Sequence, residues 1–124
     1  DLDITNIHSD SRKIKQGGLF IAIDGYLQNG IDYLDSAIQN GAVAAIVEDD
    51  VDTSILPNTL TYIKAGNTRK ALAITNCNLY DNPSKKFKLI GVTGTKGKTT
   101  TTFMIKSLLE AHGLKVGLMG SIAV

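Results

Sequence analysis

Cys77 is the sole cysteine of the chain, so no intramolecular disulfide can form and a cysteine-rich metal site is excluded. Such sparse cysteine usage fits a reducing cytoplasm. No apolar run approaches the length that a bilayer requires, and the acidic opening Asp1-Leu2-Asp3 lacks the basic flank and apolar centre of a secretory signal. Neither a membrane nor an export route is expected. An excess of one charge is missing too, because 13 Lys and Arg stand against 12 Asp and Glu for a formal net charge of +1. That balance gives no reason to expect a nucleic-acid partner. The small cluster Lys85, Lys86 and Lys88 reads as a solvated linker. His8 and His112 lie far apart with no ligand-like spacing, which makes them structural or surface residues rather than metal ligands.

What remains is ordinary globular composition, with 124 residues of which 43% are hydrophobic and 20% charged. Residues 4–11 pass from apolar positions into the polar turn Asn6, His8, Ser9, Asp10 and Ser11. The glycine-bounded run Leu19 to Ile23 predicts a buried strand. Residues 24–30 form a loop, and Ile31, Leu34, Ala37 and Ile38 recur at helical spacing up to the stop at Asn40-Gly41. Ala42 to Val47 predicts a second buried strand. This strand-helix-strand order implies a parallel pair with a right-handed crossover. Thr59 to Ile63 predicts a third strand, and Thr68 to Tyr80 a helix capped by Asn67. Pro83 cannot continue that helix, so a domain boundary is placed there.

After the boundary, Phe87 to Thr93 reads as a strand that breaks into Gly94-Thr95-Lys96-Gly97-Lys98-Thr99-Thr100 and restarts as a helix. That helix carries Phe103, Ile105, Leu108 and Leu109 and ends at Gly113, before a further strand over Val116 to Met119. A strand, a glycine-rich turn and a helix in this order make a phosphate-binding loop. Gly94 and Gly97 let backbone N–H groups converge on phosphate oxygens, and the helix aims its positive end at the same anion. Lys98 adds charge toward the β- and γ-phosphates as the catalytic lysine, and the Thr99 hydroxyl stands where such loops hold Mg²⁺. The general spacing of such loops would need glycine at position 92, where Val92 sits. The run Gly91-Val92-Thr93-Gly94-Thr95 is instead the spacing of ATP-dependent Mur ligases and folylpolyglutamate synthetases.

With both segments read, the chain resembles the Mur ligase family. The resemblance rests first on Ser9-Asp10-Ser11-Arg12, Gly18 to Gly25, Asn29 to Tyr33, Ala37 and Gly41 to Ala45. It continues through Gly91 to Thr102 and Gly113 to Ile122. Two positions depart from the usual pattern. Lys96 stands where Asn is common, and reads equally as added charge near the phosphates or as a solvated loop lysine. Asn29 replaces a frequent Asp.

The resemblance implies a fold of the α/β class: a small mixed α/β domain over residues 1–83, then the first βαβ unit of a phosphate-loop nucleotide-binding domain over residues 84–124. It implies a cytoplasmic enzyme with ATP and Mg²⁺ as cofactors, its remaining metal ligands and amino-acid pocket lying downstream of Val124. Its substrates would be a UDP-N-acetylmuramoyl dipeptide and a diamino acid, joined by an amide bond through an acyl phosphate. Ser11 maps onto a substrate contact, and Tyr26, Leu27 and Gln28 onto further uridine-side contacts. Read from the residues alone, Ser11 serves equally well as a turn cap. Nucleotide binding falls to Gly94, Thr95, Lys96, Gly97, Lys98, Thr99 and Thr100. Within the family the pattern is nearest to the branch that adds the third residue of the stem peptide, with the D-alanyl-D-alanine-adding branch as the alternative. A stand-alone UDP-sugar or nucleotide-binding module remains a reading from a different class.

Overall fold

The computed structural model describes residues 2–25 and 29–121, and the chain divides into two compact units, residues 1–86 and 87–124. The first unit is built on a four-stranded sheet of β1 (Asn6–His8), β2 (Gly18–Ile21), β3 (Ala42–Glu48) and β4 (Thr61–Ala65), in that spatial order. Every neighbouring pair is parallel. Register explains how the two faces separate. Ile7 pairs with Leu19 and Leu19 with Ala44, while Phe20 pairs with Ala45 and Ala45 with Tyr62. Paired residues of adjacent strands share a face, and the side-chain period of two assigns alternate rows to opposite faces.

The Phe20 row meets Ile14 from the first crossover, Leu34 and Ala37 from the second, and Leu56 and Leu60 from the third. All three crossovers therefore lie on one face, as a sequentially ordered parallel sheet requires when each connection has the same hand. The opposite row, Ile7, Leu19, Ile21, Ala44 and Ile46, packs against Ala71 and Leu72. These two residues belong to α2 (Thr68–Leu79), which follows β4 and covers the second face.

The second crossover contains α1 (Leu34–Gln39). The expected helix from Ile31 is shorter than its apolar spacing predicts, because residues Gly30–Tyr33 close as a 3-10 turn before α1 begins. Asn29 causes this entry, its Oδ1 accepting from Ile31 N at 3.0 Å. At the head of α2, Asn67 caps as expected by accepting from Lys70 N at 2.8 Å. Glu48 adds a second anchor, its Oε1 accepting from Thr68 N at 3.0 Å and Thr68 Oγ1 at 2.7 Å. The Thr68 backbone and hydroxyl donors hold the Glu48 carboxyl below its ordinary range. These bonds tie the end of β3 to the start of α2.

The second unit departs from expectation. It holds α3 (Lys98–Ala111), but neither Phe87 to Thr93 nor Val116 to Met119 forms a hydrogen-bonded strand. A parallel pair is stable when both faces of its sheet are covered. Here Phe87, Leu89, Ile90, Leu114 and Met119 are exposed. Ile105 and Leu109 of α3 line an open cleft of about 750 Å³ with both segments. The apolar composition suits strands, but among the described residues of this unit no second layer draws them into a ladder. The expected βαβ unit is thus a helix between two unpaired apolar segments.

Gly30 has the closest backbone approach among the described glycines of the first unit. A Cβ there would lie 2.4 Å from Ile23 N and 2.5 Å from the Ala22 carbonyl carbon, both backbone atoms just past the end of β2. Gly30→Ala is expected to lower unfolding stability by about 1–3 kcal/mol, the usual cost of overpacking a rigid contact. Urea denaturation measures this, and an unchanged midpoint would contradict the close approach.

Candidate functional site

The segment Gly94 to Thr100, expected to bind phosphate, turns at two glycines outside any strand ladder among the described residues. Gly94 has φ 152° and Gly97 φ 77°, both in the region that side-chain-bearing residues avoid. Around Gly97 nothing lies within 4 Å of where a Cβ would be, so glycine is needed there for conformation rather than for space. Gly97 is also the N-cap of α3 and offers no side-chain acceptor. Its carbonyl accepts from Thr101 N at 2.9 Å. The preceding N–H groups, those of Lys98, Thr99 and Thr100, have no intrahelical partner by helix geometry. Free donors and the helix dipole together favour an anion at this end.

Lys98 opens α3, and its Nζ donates to the Gly94 carbonyl, closing the loop on itself. An ammonium has three donors, so two remain for a further acceptor. Thr99 is half-buried, while Thr95, Lys96, Gly97, Lys98 and Thr100 are exposed. The Thr99 carbonyl accepts from Thr102 Oγ1 at 2.8 Å. Among the described residues there is no group of three or more His, Cys, Asp or Glu side chains that could hold a metal ion. A hard cation at Thr99 would take its other ligands from phosphate oxygens and water, a set that suits Mg²⁺.

Ser11 lies in the other unit and is buried, in the 3-10 turn Ser11–Lys13 that follows β1. The capping role that its hydroxyl offered in sequence belongs to its neighbour. Asp10 Oδ1 accepts from Arg12 N at 3.1 Å. The same carboxylate grips the Arg12 side chain as a fork, Nε to Oδ1 and Nη2 to Oδ2 at 2.9 Å each. Sequence reading passed over this pair, although an acid and an arginine two residues apart across a turn are its signal. It also passed over Asn40, read only as part of a helix stop. Asn40 Nδ2 donates to the Ser11 carbonyl at 3.0 Å across 29 residues of sequence. No local pattern announces a bond of that range. Tyr26, Leu27 and Gln28 lie outside the described residues. The ends of their loop are tied by Gly30 N donating to Asp24 Oδ1 at 3.3 Å and Arg69 Nη2 to the Asp24 carbonyl at 2.9 Å.

The side-chain hydrogen bond from Arg12 holds the Asp10 carboxyl at about 2, below its ordinary 3.8. A carboxyl lowered on folding contributes stability above its unfolded value, and that contribution fades as pH falls from about 3.8 toward 2. Arg12→Ala should return the Asp10 titration toward 3.8, read by carboxyl-carbon NMR against pH. An unmoved midpoint in the variant would rule out the fork as its cause.

Comparison with known proteins bears on both units. The profile described as Mur ligase family, catalytic domain, matches residues 3–78, which fall in the first unit and leave Gly94 to Thr100 outside. A protein of Clostridium tetani named UDP-N-acetylmuramoyl-L-alanyl-D-glutamate–2,6-diaminopimelate ligase is 51% identical over 122 residues, 98% of this chain and 25% of its own. The chain thus spans about a quarter of the length of such relatives. Among solved structures, MurF from Acinetobacter baumannii matches with a TM-score of 0.65 at 30% identity, over 87% of this chain and 22% of its own. MurF ligase from Thermotoga maritima in complex with ADP matches with a TM-score of 0.57 at 27% identity, over 86% of this chain and 23% of its own. The match over residues 3–78 covers most of the chain, and the chain belongs to the Mur ligase family.

Proposed function

We propose that this chain is the substrate-holding and phosphate-binding part of an ATP-dependent amide ligase of peptidoglycan precursor synthesis. On this reading the enzyme works in the cytoplasm and adds a diamino acid to UDP-N-acetylmuramoyl-L-alanyl-D-glutamate. The observation that carries it is the 51% identity through 98% of the chain, which takes in the Ser11 turn and the phosphate loop together. Residues 1–83 hold the uridine end of the substrate, with Ser11, Tyr26, Leu27 and Gln28 as contacts. Residues 84–124 begin the ATP-binding domain.

Bound ATP supplies a γ-phosphoryl group to the substrate carboxylate, giving an acyl phosphate from which the incoming amine displaces phosphate. The chain's own residues position and neutralise, which is most of what phosphoryl transfer asks of a protein. Gly94 to Thr100 direct backbone N–H groups at the phosphates. Lys98, braced on the Gly94 carbonyl, turns its remaining donors toward the β- and γ-oxygens. Thr99 would contribute one ligand to Mg²⁺, and Lys96 would add charge near the phosphates.

A second reading within the family is a ligase that adds D-alanyl-D-alanine, the activity named for a matched structure from Acinetobacter baumannii. The 27–30% identity of the MurF structures is well below the 51% of the diaminopimelate-adding relative. The two readings separate on which amine the full-length protein ligates.

Lys98→Ala should weaken ATP binding by about 10-fold or more, the scale of a lost charge-assisted contact, and abolish turnover in the full-length enzyme. Normal activity in that variant would sink the assignment. The 124-residue chain by itself is expected to form no ligation product from ATP, UDP-sugar dipeptide and diamino acid. Product detected by mass spectrometry would overturn that division of labour.

A further inference from the structure

We infer that Asn40 is a positioning residue for the substrate contact assigned to Ser11, an inference that rests on the proposed function of the first unit. The Ser11–Arg12 peptide is held along both edges. Its carbonyl accepts from Asn40 Nδ2 at 3.0 Å and from Ile14 N at 3.3 Å. Its N–H donates to Asp10 Oδ1 at 3.1 Å. A peptide plane gripped on both sides cannot rotate, and the Ser11 Cα from which the side chain projects lies in that plane and is held with it.

Asn40 is itself well anchored. Its backbone N–H donates to the Ser36 carbonyl at 3.1 Å at the end of α1, and the Gly41 carbonyl beside it accepts from Gly17 N at 3.0 Å and Gly18 N at 3.3 Å. A Cβ at Gly41 would approach Gln16 Cα to 2.7 Å, so this junction is closely packed. Asn40 therefore carries the position of α1 and of the turn before β2 into the turn after β1. Asp10 acts on the same peptide from within the turn, whereas Asn40 fixes it to the rest of the unit.

The test is a double-mutant cycle on the 124-residue chain, with UDP as the probe and binding read by calorimetry. Ser11→Ala weakens UDP binding. Asn40→Leu, close in size but without the donor, weakens it by about 2- to 10-fold, the range of one neutral hydrogen bond. In the Ser11→Ala background Asn40→Leu adds little further loss, since it acts through Ser11. ATP affinity stays at its original value in both variants. Should circular dichroism show Asn40→Leu unfolded, Asn40→Ser replaces it, being polar but too short to reach the carbonyl. If Ser11→Ala weakens binding and the Asn40 variant does not, or if the two losses add in full, the positioning role is overturned and the substrate reading stands. If UDP fails to bind, or Ser11→Ala binds it unchanged, the substrate reading falls and takes this inference with it.

Discussion

An all-parallel sheet cannot leave either face to water, and the arrangement of the first unit follows from that constraint. The three crossovers fill the Phe20 face, and the chain must then return across the opposite face. Helix α2 makes that return, and two independent acceptors, Asn67 and Glu48, secure its start. The Ser11 turn occupies the first crossover and Asn40 ends the helix of the second. Stacking the crossovers on one face is what brings residues so far apart in sequence within hydrogen-bonding distance.

The second unit shows the same rule from the other side. Its loop is shaped by local conformation, two glycines and one lysine, and needs no sheet to exist. Its flanking apolar segments do need one. Ile90, Val92, Val116 and Leu118 line a cleft instead of a ladder. The turn and helix start are thus short-range properties of the chain, whereas strand formation depends on neighbours.

That distinction also sets how much could be read from sequence. The buried strands β2 and β3, the span of α2 with its Asn67 cap, and the start of α3 after Gly97 rest on contiguous residues, and all appear in the structure. The two glycines that turn the chain before α3 were legible for the same reason. The Asn40 bond to Ser11 joins different crossovers, so no window of sequence contains it. Glu48 bonding Thr68 is hidden in the same way. Phe87 to Thr93 failed as a strand for the complementary reason: its composition states a preference that only a paired neighbour can fulfil. Gly30 was legible as a breaker, but its contact with the Ala22–Ile23 backbone belongs to the packed unit.

The sheet has two outer strands, and each has a different answer to unwanted pairing. Strand β1 is three residues long, too brief a template for a foreign chain to zip onto. Strand β4 is longer and carries the half-exposed Ile63, but Lys64 follows it directly, with its ammonium donating to the Asp49 carbonyl at 3.3 Å. A charge that must stay hydrated makes a poor partner for another strand. The order that buries the central strands therefore also guards against aggregation, leaving one edge too short and the other too charged to seed it.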